Sequence, residues 1–396
     1  MADAIVVVNA GSSSVKFSVY LASTDGEQQL AANGLAEGIG THPAFKAKDE
    51  SGTVLVEHRW PEGEAIGHDQ VFEFLGAWLG DFLADHDLTA VGHRVVHGGA
   101  RYDRPVLIDD TVLDELTSFV PLAPLHQPHN LTPIKLVRQS MPGVPQVACF
   151  DTAFHRGHRR AADLFAIPRK MTDDGVQRYG FHGLSYEYIA RTLPKVAPDI
   201  AAGKVVVCHL GSGASMCAIE AGRSVDSTMG FTALDGLPMG TRCGNIDPGV
   251  LLHMMRAYGM DADQIERTLY HDCGLKGISA LSNDMRDLAG SDDPNAAEAV
   301  DVFVFQIGKQ LGALSAVLGG LDALVFTAGI GERSPMIRRR VSEGAQWLGV
   351  VLDEAANEAG ETVISTSTSE VTVLVIPTDE EKMIAMHTAA VLGRSR

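Results

Sequence analysis

The chain has 396 residues, enough for two or three domains, and its 45% hydrophobic and 21% charged content is ordinary for a globular protein. Its formal net charge of −18 argues against nucleic acid as a partner, since phosphate backbones need a basic footprint, and any anionic substrate must find local cations. Five scattered cysteines, Cys149, Cys208, Cys217, Cys243 and Cys273, form no CxxC pair, which excludes a disulfide framework or a structural zinc site and fits a reducing cytosol.

In chain order, the first signal is VVVNAGSSSVKFSVY, Val6 to Tyr20. Valines lead into Gly11, Ser12, Ser13 and Ser14, and then Val15, Phe17 and Val19 alternate with Lys16, Ser18 and Tyr20. This pattern predicts strand, tight turn, strand. The opening residues lack the basic region and long apolar core of a secretory leader, so a cytoplasmic location is expected. His93 and His97 in HRVVH have the spacing of a helical zinc motif. The glutamate of HExxH is missing and two glycines follow, so zinc is not expected there. The apolar run Val147 to Phe150 predicts a strand ending in a turn at Asp151. Arg156, Arg159, Arg160, Arg169 and Lys170 then form a basic cluster, read as a solvated face.

A second copy of the opening pattern is VVVCHLGSGASMCAIE, Val205 to Glu220. Two hairpins of one design, about two hundred residues apart, predict two related domains. From Pro294 the residues Val300, Phe303, Val304, Ile307, Leu311, Leu314 and Leu318 keep helical spacing, with Asp293 as N-cap. The oily stretch Leu311 to Ile330 is broken by Asp322 and several glycines, a poor membrane span. A strand from Ala323 to Phe326 leads into an AGIGE loop, followed by a helix from Ser334-Pro335. Val371 to Ile376 reads as a buried strand, and a final helix follows PTDEE. Thr378 as N-cap puts Glu381 at N3, the capping-box position, and leaves Glu380 available for other work. Domain crossings are expected near Asp151 and Glu381. This gives an N-terminal domain of 1–150 plus 383–396 and a C-terminal domain of 151–382.

Glycine–serine turns can bring backbone N–H groups and hydroxyls close to phosphate. There is no GxxxxGK[ST], and Gly329-Ile330-Gly331 lacks the third glycine of GxGxxG. A single such turn is more often structural, but two copies and AGIGE together favour phosphate binding.

Taken together, NAGSSSVKF, GHRVVHGG, APLHQPHN, FDTAFH, RYGFHGLSY, MGTRCGNIDPG, FTAGIGE and PTDEE resemble the acetate kinase family, in that family's order and over nearly the whole chain. The resemblance implies an α/β fold of two duplicated ribonuclease H-like domains of the sugar kinase, Hsp70 and actin type, with an interdomain active-site cleft. It implies phosphorylation of acetate by ATP, giving acetyl phosphate and ADP, with Mg2+ or Mn2+, in a homodimer. The nucleophile is a carboxylate already ionised at pH 7, so the reaction needs neutralised charge and alignment more than a base.

By the same resemblance, Arg94 and Arg242 are the active-site arginines, the first on the substrate carboxylate and the transferring phosphoryl group and the second on the phosphoryl group in the transition state. His182 contacts that group and His126 is a second active-site histidine. Asp151 aligns the reactants and helps to hold the metal, for which Asn9 and Glu380 are the candidate ligands. Ser12, Ser14 and Lys16 face the terminal phosphates. His209, Leu210, Gly211, Ser212 and Gly213, with Gly329, Ile330 and Gly331, hold the rest of the nucleotide, and Asp284, Met285 and Arg286 face the adenosine. Val96, Leu125, Phe181 and Ala233 wall the acetate methyl.

Two positions depart from the family pattern. Ser212 stands where the second hairpin usually has asparagine, which predicts a weaker nucleotide contact. Ala233 stands where a proline narrows the acyl pocket, which predicts room for propionate. Other readings are a propionate or other short-chain acyl kinase, a kinase of a hydroxyl substrate, and an ATPase of the Hsp70 or actin type.

Overall fold

The computed structural model describes residues 2–11, 13–23, 27–61, 66–124 and 126–393. The chain divides into two compact units, Met1–Phe154 with Asp379–Arg396, and His155–Thr378. Both crossings differ slightly from the expected ones. Asp151 stays with the first unit because its N–H donates to the carbonyl of Val95 at 3.2 Å. Glu380 joins the same unit because it opens the C-terminal helix, Glu380–Val391, which packs on that unit's strands.

In the first unit, strands β1 (Asp3–Ala10), β2 (Ser14–Ala22), β3 (Gln28–Glu37), β4 (Ala44–Asp49), β5 (Val54–Arg59), β6 (Asp87–Val95), β7 (Val106–Leu107) and β8 (Gln146–Phe150) form one sheet in the order β5-β4-β3-β2-β1-β6-β8-β7. The predicted hairpin is β1–β2, closed by the pair Ala10 and Val15, with the Gly11 N–H donating to the Ser14 carbonyl at 2.8 Å. Val15, Phe17 and Val19 are buried as their alternation requires. Ser18 and Tyr20, on the other face, are buried too, so only Lys16 of that set reaches solvent. Helices α1 (His68–Phe82) and α2 (Gln127–Ser140) belong to this unit. The C-terminal helix crosses β6 at Gly92, where a Cβ would stand 2.3 Å from Thr388 Oγ1 and 2.7 Å from Ile384 Cγ2. Only glycine allows that approach.

In the second unit, β9 (Lys204–Leu210), β10 (Ala214–Glu220), β11 (Arg223–Ser227), β12 (Ala323–Thr327) and β13 (Thr372–Val375) run in the order β11-β10-β9-β12-β13. This repeats β3-β2-β1-β6-β8: three antiparallel strands and then two parallel additions on the first strand's other side. The duplication read from two valine-rich hairpins is thus a duplication of sheet topology. Helix α3 (Gly183–Val196) leads into β9. Helix α4 (Pro294–Leu318) has the expected cap, Asp293 accepting from the Asn295 N–H at 2.8 Å, and ends at Gly319 with φ 67°. By length and composition it could cross a membrane. Its buried stripe of Val300, Phe303, Ile307, Leu311, Leu314 and Leu318 packs on the second sheet, which accounts for that composition.

Two local expectations are corrected. AGIGE is helical rather than a loop: α5 (Ala328–Arg333) starts at once after β12, with Ala328 at φ 64°, and α6 (Pro335–Gly344) follows with Ser334 as its cap. Asp379, not Thr378, caps the C-terminal helix, by accepting from the Lys382 N–H at 2.8 Å. Glu381 is therefore no capping-box partner. Its carboxylate instead accepts from Asn9 Nδ2 at 3.2 Å.

Candidate active site

The carboxyl ends of parallel strands are where open α/β sheets present ligand groups. In the first unit, β1, β6 and β8 run parallel side by side, so Asn9, Arg94 and Asp151 emerge at one edge. Arg94 binds Asp151 with two N–H groups, Nε to Oδ1 at 2.9 Å and Nη2 to Oδ2 at 2.7 Å. Its Nη1 reaches Glu380 at 3.3 Å and the Asn9 side-chain oxygen Oδ1 at 3.5 Å. The Arg94 side chain is 18% exposed and that of Asp151 3%. Burial pulls the Arg94 guanidinium down, but the charges of Asp151, Glu380 and Glu381 outweigh it and keep the group protonated. Burial pushes the Asp151 carboxyl up against the opposing pull of Arg94. Burial and the neighbouring Glu380 also raise Glu381, against Lys16 and Asn9.

Asp151, Glu380 and Glu381 surround one guanidinium, an excess of negative oxygen that suits a hard divalent cation completed by phosphate and water. Among the described residues, no three His, Cys, Asp or Glu side chains gather closely enough to form a protein-only metal cage. His93 lies on β6, a strand, as the doubt over a zinc helix anticipated. Ser14 and Lys16 lie at the start of β2, Lys16 exposed and close enough to act on Glu381. Ser12 and Leu125 lie outside the described residues. Val96 is buried, and His126 is the half-buried residue just before α2.

Asn130 escaped the sequence reading. It is 3% exposed, accepts from the Val96 N–H at 2.8 Å and donates to the Ala10 carbonyl at 2.8 Å, so it ties the GHRVVHGG and NAGSSS turns together. Gln127 does similar work, donating to the His97 and Leu116 carbonyls at 3.1 Å each. The signal was present in APLHQPHN: two amides three residues apart fall on one helix face.

In the second unit, His182 sits at φ 57° and ψ 23°, left-handed, at the N-cap of α3. Its Nδ1 shares a hydrogen bond with Ser215 at 2.8 Å, and Ser215 is bonded in turn to the Tyr186 hydroxyl. The ring stacks on His209, centroids 4.2 Å apart, and His209 Nδ1 meets the Ser185 hydroxyl at 2.8 Å. Ser185, Ser215 and Tyr186 were not singled out by motif, because their spacing becomes informative only once α3 and β10 are adjacent. Arg242 donates from Nη1 to the Ala233 carbonyl at 2.9 Å. Burial lowers its guanidinium from the ordinary value, offset in part by Tyr270, and among the described residues it forms no ion pair. A Cβ on Gly213 would stand 3.2 Å from Arg242 Nη2 and 3.3 Å from His182 Nε2. Arg242 Nη2 and His182 Nε2 thus converge on the turn of the second hairpin, where a glycine leaves space.

The neighbouring turns are contiguous with this point. The Gly240 N–H donates to the Ser212 carbonyl at 3.2 Å, and a Cβ on Gly240 would lie 3.2 Å from the Asn283 carbonyl oxygen. A Cβ on Gly211 would lie 3.7 Å from the Ala328 Cβ and 4.0 Å from the Gly329 nitrogen. Gly329 faces open space, Ile330 is half-buried and Gly331 is buried. Asp284 caps a short helix, Met285–Ala289, and is paired with the exposed Arg286. The Met285 side chain is in the core, as is Leu210, so these two can offer a ligand only backbone. Phe181 is buried and Ala233 half-buried.

Comparison with known proteins agrees with these motifs. The family model described as "Acetokinase family" matches residues 4–386. An acetate kinase of Nitrobacter hamburgensis is 55% identical over 390 residues, covering 98% of this chain and 96% of that protein. Among solved structures, a propionate kinase from Francisella tularensis aligns with a TM-score of 0.91 at 36% identity, covering 98% of this chain and 100% of that one. An acetate kinase from Porphyromonas gingivalis aligns at 0.88 and 35%, with the same coverage. With the motifs in order from end to end, the chain belongs to the acetokinase family.

Proposed function

We propose that the chain transfers the terminal phosphoryl group of ATP to acetate, forming acetyl phosphate and ADP, and catalyses the reverse reaction. The observation that carries this reading is Arg242, a half-buried, partly desolvated cation with no carboxylate partner among the described residues, whose Nη2 converges with His182 Nε2 over Gly213. A partly desolvated guanidinium with no carboxylate against it, beside a glycine turn, is a ready site for an anion. Phosphoryl transfer supplies one.

Arg242 and His182 bind the equatorial oxygens of the transferring group, where charge develops. Arg94 orients the acetate. Its contacts with Asp151, Glu380 and Asn9 leave one Nη2 hydrogen for a substrate oxygen. Both Asp151 oxygens are engaged by Arg94, which suits an orienting residue and not a proton acceptor. None is needed, since acetate with a pKa of about 4–5 is already ionised. Asn9 and Glu380 would hold Mg2+, or Mn2+ in its place, which would supply positive charge against the phosphates. Ser12, Ser14 and Lys16 serve the terminal phosphates, and His126 serves the acyl phosphate. His209–Gly213, Gly329–Gly331 and Asp284–Arg286 hold the nucleotide. Val96, Leu125, Phe181 and Ala233 enclose the methyl group.

The family's homodimer is supported by exposed apolar residues on the second unit: Leu252, Met255, Tyr258, Phe305 and Trp347. A cytoplasmic location is supported by five free cysteines. Trapping the acyl phosphate with hydroxylamine, using Mg-ATP with acetate, propionate or butyrate, tests the reading. Acetyl hydroxamate should form fastest. ATP hydrolysis with no hydroxamate from any acid would overturn it.

A further inference from the structure

FDTAFH and the basic cluster behind it are not absorbed by the proposed mechanism beyond Asp151. The cluster was read as a solvated face, and for Arg159, Arg160, Arg169 and Lys170, all exposed, it is one. Arg156 departs from that reading. Its guanidinium turns inward, donating to the Tyr179 carbonyl at 2.5 Å and the Arg178 carbonyl at 3.3 Å, and lies 5.1 Å from the centre of the Tyr179 ring. Its neighbour His155 is fully buried, and His155 Nε2 lies 3.0 Å from the Phe181 carbonyl oxygen. Two consecutive side chains therefore clamp three carbonyls of the segment Arg178–Phe181, directly before His182.

The clamp is specific in its chemistry. A carbonyl can only accept, so the Nε2 of His155 carries a proton. Burial holds the ring well below its ordinary pKa, hence neutral, and Nδ1 accepts from the Ser224 hydroxyl at 2.8 Å. His158 Nε2 reaches the same hydroxyl at 2.7 Å, and its Nδ1 faces Asp163 at 3.2 Å. The His155 tautomer is thereby fixed from both ends. The ring also replaces a side chain: Gly180, at φ 74°, has no Cβ, and one there would fall 2.6 Å from His155 Cδ2. From the other side, the N–H groups of Tyr179 and Gly180 donate to the Gly230 carbonyl at 2.9 and 3.4 Å.

What this cradle holds is a strained residue. His182 has φ 57°, a left-handed conformation that a non-glycine residue keeps only when its surroundings over-determine it. We infer that His155 and Arg156 are positioning residues that set the His182 imidazole for the phosphoryl group, by fixing the carbonyls of the turn that carries it. The inference rests on the phosphoryl role proposed for His182. FDTAFHR thus contributes twice: Asp151 aligns Arg94, and His155 with Arg156 aligns His182.

A double-mutant cycle tests this, with kcat and both KM values measured beside thermal melting. His155→Phe fills the same space without the donor. It should lower kcat by about 10- to 100-fold, as small misplacements of a reacting group do, and leave the KM for ATP and acetate within about three-fold. His155→Gln, which restores a donor, should recover most of the loss. In a His182→Ala background, His155→Phe should lower kcat no further, because the residue it positions is gone. An equal further loss there would overturn the inference, leaving His155 with a purely structural role. A His182→Ala enzyme with unchanged kcat would overturn the role of His182 itself, while acetate-dependent hydroxamate formation would still report the overall reaction. If His155→Phe does not fold, Arg156→Met takes its place in the same cycle, with the same two outcomes.

Discussion

Arg94 and Asp151 form a two-point ion pair at the edge of the first sheet, with the Asp151 side chain almost entirely buried. Arg94 is next to last in β6 and Asp151 follows β8, so the pair exists because these parallel strands are neighbours in register, Val95 opposite Phe150. Glu380 joins it from the other end of the chain. The first unit therefore assembles its polar centre from three distant segments around one cation.

Asp151→Ala removes the partner and leaves that cation half-compensated. Breaking a buried pair from one side costs roughly 3–5 kcal/mol, and the partial exposure of Arg94 places this case near the lower end. Urea unfolding should show a destabilisation of about 3 kcal/mol together with a large loss of kcat. An unchanged urea midpoint would show that the pair contributes nothing to folding.

Arg242→Met should behave in the opposite way toward stability. This guanidinium is desolvated without an ion pair among the described residues, so its removal relieves a cost. The melting temperature should stay level or rise while kcat falls about 10²- to 10³-fold, the usual loss for one transition-state donor. A marked fall in melting temperature would mean that Arg242 serves the fold.

Ser212→Asn supplies the amide that the family usually carries at the second hairpin. One added hydrogen bond is worth about 0.5–1.5 kcal/mol, so the KM for ATP should drop by about two- to ten-fold. The same KM, or a higher one, would show that the serine already makes an equivalent contact.

Ala233→Pro narrows the acyl site and keeps the carbonyl to which Arg242 donates. A methylene in such a site is worth about 1–3 kcal/mol, so the wild type should prefer acetate over propionate by no more than a few hundred-fold, and the variant by about ten-fold more. Competing rates in the hydroxamate assay give both ratios. If they are equal, residue 233 does not bound the acyl group.

His93 carries an acid-sensitivity prediction. Burial holds its pKa at about 4 in the folded chain, against an ordinary 6.5, with the bond to Gln146 opposing in part. The folded ring stays neutral between these values while the unfolded one takes up a proton, so stability is intact above pH 6.5 and falls as pH drops toward 4. His93→Gln removes this titration. Wild type should lose up to about 3 kcal/mol more than the variant across that window, read from urea midpoints at each pH. Parallel curves would count against it.

Much of the fold was legible because its signals are local. The helix from Pro294, its Asp293 cap and the β1–β2 hairpin need only periodicity and cap chemistry. AGIGE was misjudged as a loop because glycines favour turns, whereas the end of β12 and the tertiary setting of Ala328 carry it straight into a helical turn. The cap moved from Thr378 to Asp379 for a similar reason: Glu381 found a partner, Asn9, at the far end of the chain. Ser215, Tyr186 and Asn130 stayed hidden because serine, tyrosine and asparagine are common, and only packing shows that Ser215 meets His182, that Tyr186 meets Ser215 and that Asn130 bridges the Val96 and Ala10 backbones.

By itself, the order of residues determined the alternation of strands and helices, the repeated hairpin and the set of motif side chains, since those depend on neighbours within a turn or a pleat. Tertiary structure alone decided that Arg94 is ion-paired while Arg242, among the described residues, is not, that Arg156 turns inward, and that His182 is held in a left-handed bend. Charge, burial and strain are set by groups hundreds of residues apart, and no local pattern encodes which of them will meet.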